Sequence, residues 1–99
     1  MQNNVIKFIN DFKKVAPAAF ETTFLNGYCY WFANILSTRF DGEIYYLPIE
    51  NHFISYIGTS FYDITGKITP KERPIRWKIY QTIEPFQSYR IIRDCINKE

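Results

Sequence analysis

The stretch His52-Phe53-Ile54-Ser55-Tyr56-Ile57-Gly58-Thr59-Ser60-Phe61-Tyr62-Asp63-Ile64-Thr65-Gly66 decides the fold. Two runs rich in β-branched and aromatic residues, 51–57 and 60–65, flank Gly58-Thr59. Glycine takes a positive φ without a Cβ clash, so Gly-Thr suits a two-residue type II′ hairpin loop. That loop length sets the register: 57 faces 60, 55 faces 62, and 54 faces 63. Side-chain alternation then groups His52, Ile54 and Tyr56 with Phe61, Asp63 and Thr65 on one face. His52 and Asp63 become diagonal neighbours, about 7–8 Å apart at the backbone. A carboxylate at that distance reaches an imidazole. A three-residue loop would put the two side chains on opposite faces. Gly66 closes the second run.

Upstream of the hairpin, residues 43–48 form a further β-type run after the Asp41-Gly42 turn signal. Before it lies a helical segment that starts at Asn26-Gly27 and runs to about Arg39. It is apolar nearly all round (Tyr28, Cys29, Trp31, Phe32, Ala33, Ile35, Leu36), which predicts burial on most sides. A first helix spans roughly 4–15, with Asn3 or Asn4 as its cap. Val5, Ile6, Phe8, Ile9 and Phe12 make its apolar stripe. Pro17 limits its length, and residues 16–25 hold a short helical turn. Downstream, Pro70 and Pro74 bracket a loop, and 75–82 reads equally as strand or helix. A last helix covers about 85–97, with Pro85 in its first turn. Phe86, Tyr89, Ile92 and Ile96 share a face of it, with Cys95 close by. The expectation is one α+β domain over 1–99, with N-terminal helices packed on a small antiparallel sheet and a C-terminal helix.

The composition bounds the function. A 99-residue chain has room for one core, and 46% hydrophobic with 22% charged residues excludes a disordered polymer. No apolar run approaches the roughly 20 residues of a membrane span. Lys7, Asp11, Lys13 and Lys14 interrupt any secretion signal, so a cytoplasmic protein is expected. Cys29 and Cys95 are then expected as thiols rather than a bridge. One histidine and no Cys/His cluster argue against a metal site, and no phosphate loop or dinucleotide fingerprint implies a cofactor. Net charge is +2, but residues 67–99 hold eight basic and four acidic side chains. Lys67, Lys71, Arg73, Arg76 and Lys78, with Trp77 and Tyr80 interleaved, read either as a solvated face or as a patch for nucleic acid or an acidic protein.

Cys29 sits near the start of its helix, where unpaired N–H groups favour a thiolate and can hold an oxyanion. Equally, a buried cysteine often only packs. The order of a Cys at a helix start, a His opening a strand and an Asp in the next strand says more than any of the three alone. Asn26-Gly27-Tyr28-Cys29-Tyr30-Trp31, His52-Phe53-Ile54-Ser55-Tyr56, Gly58 and Phe61-Tyr62-Asp63-Ile64-Thr65-Gly66 resemble the transglutaminase-like branch of the papain-like cysteine hydrolases. The resemblance covers about residues 26–66. It implies a papain-like core, Cys29 as nucleophile, His52 as general base and Asp63 as the group that orients His52. It also implies a backbone N–H of Cys29 as one oxyanion donor, with Asn26 the candidate for a second, or only a helix cap. The reaction implied is attack on an amide or isopeptide bond of a protein or peptide. The chain is similar too to short proteins of bacterial and prophage genomes. That likeness leaves a second reading open: a non-catalytic interaction module of the same fold, an inhibitor of a host factor. Trp31 reads as core or as one wall of a substrate groove. Glu50 and Asn51, just before His52, read as a turn or as substrate contacts.

Overall fold

A computed structural model describes residues 2–15 and 29–96 of the chain. Among these, four helices accompany one five-stranded sheet. In chain order they are α1 (Gln2–Val15), α2 (Cys29–Phe40), β1 (Glu43–Leu47), β2 (His52–Ile57), β3 (Ser60–Asp63), β4 (Gly66–Ile68), β5 (Ile75–Arg76), α3 (Trp77–Ile83) and α4 (Pro85–Ile96). The sheet order is β4-β3-β2-β1-β5 and every neighbouring pair is antiparallel. The expected α+β class, with a C-terminal helix, is what the chain adopts.

The hairpin has the expected register. Ile57 pairs with Ser60, Tyr56 with Phe61 and Ser55 with Tyr62. Gly58 takes φ 64°, as the first loop position of a type II′ turn requires. Pleating then sorts β2. Phe53 and Ser55 face α2: Phe53 packs edge-on to Tyr30 of that helix, with centroids 5.0 Å apart. Ser55 Oγ donates to the Ala33 carbonyl at 2.9 Å. His52, Ile54 and Tyr56 take the opposite face, where Tyr45, Tyr56 and Phe61 close a triangle of rings with centroids 4.8–5.7 Å apart.

Two clusters make the core on the helical side. In one, Val5 and Ile9 of α1 meet Phe32 and Leu36 of α2 and Ile57, Tyr62 and Ile64 of the hairpin. In the other, Cys29 and Ala33 pack with Tyr46, Phe53 and Trp77. The second is ring-rich: Trp77 lies edge-on to Phe53 at 4.7 Å and stacks on Tyr80 at 5.5 Å. A small domain gains most buried area per residue from such rings.

α2 ends in a device the sequence half announced. Asp41 takes a left-handed φ of 56°, and the Gly42 N–H returns to the Ser37 carbonyl at 2.8 Å. This is the Schellman pattern that satisfies a terminal carbonyl. Gly42 is required there by space. A Cβ would stand 2.6 Å from the Tyr56 carbonyl oxygen and 2.7 Å from Ile57 Cγ1.

The structure corrects several expectations. α1 starts at Gln2, so Asn3 and Asn4 lie inside the helix instead of capping it. The run expected over 60–65 stops at Asp63, and Gly66 opens a new strand instead of closing the old one. Residues 75–82 are both strand and helix: two residues pair with β1 before α3 begins. α2 is buried on one stripe only (Cys29, Phe32, Ala33, Leu36, Ser37), while Ile35 and Trp31 are exposed. On α4, Phe86 and Tyr89 point to solvent, 86% and 66% exposed. The buried side of that helix is instead formed by Ser88 with the partly buried Ile91 and Ile92. The turn expected at 16–25 lies outside the described residues.

Candidate functional site

β2 and β3 bring His52 and Asp63 together. Their backbones are set by the two-residue loop, and the side chains meet with His52 Nε2 and Asp63 Oδ2 3.0 Å apart. Both residues are 8% exposed. Asp63 uses its second oxygen as well. Oδ1 accepts the Thr65 backbone N–H at 2.8 Å and the Thr65 hydroxyl. This is the local turn that an Asp two residues before a Thr tends to make. Thr65 is a partner that the sequence reading placed on the right face without giving it a role. The Asp-x-Thr spacing was the available signal.

Burial pushes the Asp63 carboxyl up, but the hydrogen bonds from His52, the Thr65 hydroxyl and the Thr65 N–H outweigh it. The net effect holds the group below its ordinary 3.8. An ionised Asp63 can only accept. A neutral His52 therefore carries its proton on Nε2 and keeps a lone pair on Nδ1.

Cys29 is the first described residue of α2 and is 2% exposed. It lies one helical turn before Ala33, whose carbonyl is bonded to Ser55, and it packs in the cluster of Phe53. Cys29 and His52 therefore sit at the same end of the α2–β2 pair. Alternation nonetheless directs His52 to the face opposite Phe53. The structure thus brings His52 and Asp63 together but leaves Cys29 on the opposite face of the sheet.

The other candidates separate. Asn26 lies outside the described residues. Asn51, at φ 53°, accepts the Tyr46 hydroxyl on Oδ1 at 2.5 Å. The Glu50 backbone N–H donates to Glu72 at 3.0 Å, and that of Ile49 donates to the other Glu72 oxygen at 2.9 Å. Both residues thus build the turn ahead of His52. Trp31 is 40% exposed on the outer side of α2, against the edge of Tyr30 at 5.8 Å, and is not core. Among the described residues no three His, Cys, Asp or Glu groups converge as metal ligands, and no helix is long and apolar enough to cross a membrane. The basic run is spread out: Arg76 pairs with Glu43 across β5 and β1, while Lys67, Lys71, Arg73 and Lys78 are exposed.

Two comparisons found nothing: no curated protein and no solved structure matches the chain. A third did. A family model described as "Phage YunG-like protein" matches residues 5–95, nearly the whole chain.

Proposed function

We propose, on the premise that the chain belongs to the phage YunG-like family, that it is a phage-type thiol hydrolase or transferase acting on an amide or isopeptide bond. The observation that carries the reading is the buried His52–Asp63 hydrogen bond at the end of the α2–β2 pair that also holds Cys29. With Nε2–H held by Asp63, the free lone pair of His52 is on Nδ1, the atom that would accept the Cys29 proton. The thiolate then attacks the carbonyl carbon. His52 passes the proton to the leaving amine, and water or a second amine resolves the thioester. Read as lying near the start of its helix, Cys29 would have its thiolate and the developing oxyanion favoured there. Proton transfer requires thiol and imidazole to meet around the end of β2.

A second reading has its own observation. Cys29 is 2% exposed among Tyr46, Phe53 and Trp77, where a small apolar side chain simply packs. On that reading the His52–Asp63 pair braces the hairpin, and the chain is a non-catalytic protein-interaction module, an inhibitor of a host factor.

Iodoacetamide labelling of Cys29 across pH, in the native chain and in His52→Ala, separates the two. An ion-paired thiolate labels quickly with a midpoint well below about 8.5, the ordinary thiol value, and loses this in the variant. Slow labelling that ignores His52 selects the interaction module.

A further inference from the structure

The turn that delivers the chain to His52 is held from outside. Residues 48–51 connect β1 to β2, and Leu47 and His52, on either side of them, form the last rung of that ladder. Pro48, Ile49, Glu50 and Asn51 are all exposed, Ile49 at 86%. A terminal rung beside an exposed turn is where a sheet opens first, since few buried contacts oppose it. His52 is on that rung, and its ring is aimed at Asp63.

Two contacts oppose that opening. Within the turn, Asn51 sits at φ 53° and its Oδ1 accepts the Tyr46 hydroxyl. The other comes from far along the chain. Glu72 accepts the Ile49 N–H on Oε1 at 2.9 Å and the Glu50 N–H on Oε2 at 3.0 Å. One carboxylate thus grips two successive amides. An ionised acceptor makes such bonds about twice as strong as neutral ones, and a side chain bound at both oxygens has little freedom to swing. Glu72 is itself anchored. Pro70 and Pro74 bracket it and restrict the backbone of the short loop. That loop runs into β5, where Ile75 and Arg76 pair with Tyr46 and Tyr45 of β1. Turn and clamp therefore both hang on β1.

His52 is then fixed from two directions. Its ring is held by Asp63, which Thr65 holds in turn. Its backbone is held through the turn that Glu72 closes. A general base works only when its lone pair keeps one direction, and that precision comes from the groups that lock its support. On the hydrolase reading above, on which this inference rests, His52 must keep Nε2–H on Asp63 so that Nδ1 stays free. We propose that Glu72 is the positioning residue of that base: its carboxylate closes the 48–51 turn and so holds His52 in register with Leu47 and within reach of Asp63.

His52 is the one histidine of the chain, so the ring nitrogens of the ¹⁵N-labelled protein identify themselves. The test compares the native chain with Glu72→Ala, Glu72→Gln and Val5→Ala at about pH 8, where an imidazole is ordinarily neutral. It reads the tautomer and the exchange of the Nε2 proton with water. Glutamine keeps the length but offers one acceptor oxygen to two N–H groups. Val5→Ala removes packing from the α1 cluster and shows what a merely destabilised chain does. The native chain should hold the Nε2–H tautomer alone. Glu72→Ala should populate both tautomers and exchange about tenfold faster or more, with Glu72→Gln intermediate. Val5→Ala should keep the native ring signals. Native ring signals in both Glu72 variants overturn the proposal, and so does an equal change in Val5→Ala. Should Glu72→Ala fail to fold, the glutamine variant decides alone. The ring is read without reference to the thiol. A Cys29 that labels slowly and ignores His52 rejects the hydrolase reading whatever the ring does, and a fast-labelling Cys29 with an unmoved ring rejects the assignment of Glu72 alone.

Discussion

Ser55 of β2 and Ala33 of α2 are joined by a 2.9 Å hydrogen bond from Oγ to the backbone carbonyl, and Ser37 Oγ donates in turn to Ser55 Oγ at 3.0 Å. The chain places a hydroxyl where a β-branched residue would otherwise pack, and so fixes how far along the helix the strand lies. Ser55→Ala should cost about 1–2 kcal/mol, because the Ser37 hydroxyl stays buried and loses its acceptor. Urea unfolding with an unchanged m-value would show the loss as a stability effect. A cost near zero would mean that Ser37 finds another acceptor.

The Asp63 carboxyl is held below 3.8 in the folded chain. Its contribution to stability is therefore complete above that unfolded value and is lost as pH falls through the lower folded value. Asp63→Asn should remove part of the acid sensitivity below about pH 4 while lowering stability at pH 7. Thermal unfolding from pH 3 to 7 for both proteins measures this. Parallel curves in acid would assign the acid loss to other groups.

Gly42 and Gly66 should respond differently to alanine. At Gly42 the methyl meets backbone and a buried isoleucine, and the expected cost is about 1–3 kcal/mol or above. At Gly66 nothing lies within 4 Å, so only the φ of 118° opposes the change. Denaturation midpoints of the two variants should fall furthest for Gly42→Ala if contact outweighs backbone strain.

Trp77→Ala should cost about 3–5 kcal/mol, as it empties the centre of the ring cluster. Trp31→Ala and Phe86→Ser, at exposed positions, should each stay within about 0.5–1 kcal/mol. Guanidinium titrations of the three variants check the ranking. A large loss at Trp31 or Phe86 would mean that the outer face is covered in solution.

The parts of this fold that were legible are those where local chemistry leaves one solution. Gly58 fixed the loop, the loop fixed the register, and the register brought His52 to Asp63. The misread parts are those where periodicity has no direction. Phe86, Tyr89, Ile92 and Ile96 repeat as a buried stripe would, yet the pattern cannot say whether a neighbour covers it, and Phe86 is bare. Trp31 and Ile35 fail for the same reason on α2. β4 and β5, of three and two residues, fall below any pattern length. The cavity of about 430 Å³ that Asn34 and Gln81 both line could not be read at all, because the two lie 47 positions apart and tertiary packing alone puts them on one wall.

The order β4-β3-β2-β1-β5 also bears on how the chain reaches this state. Four strands form a meander joined by short turns, each closing with little loss of chain entropy. β5 is the exception, since it leaves β4 at one edge and must reach β1 at the other. The meander would thus assemble before the β5–α3 segment docks. Substitutions at Trp77 should accelerate unfolding far more than they slow refolding, whereas those at Ile57 or Tyr62 should slow refolding. The far edge of the sheet is then the first part of the molecule to let go under stress and the last to return.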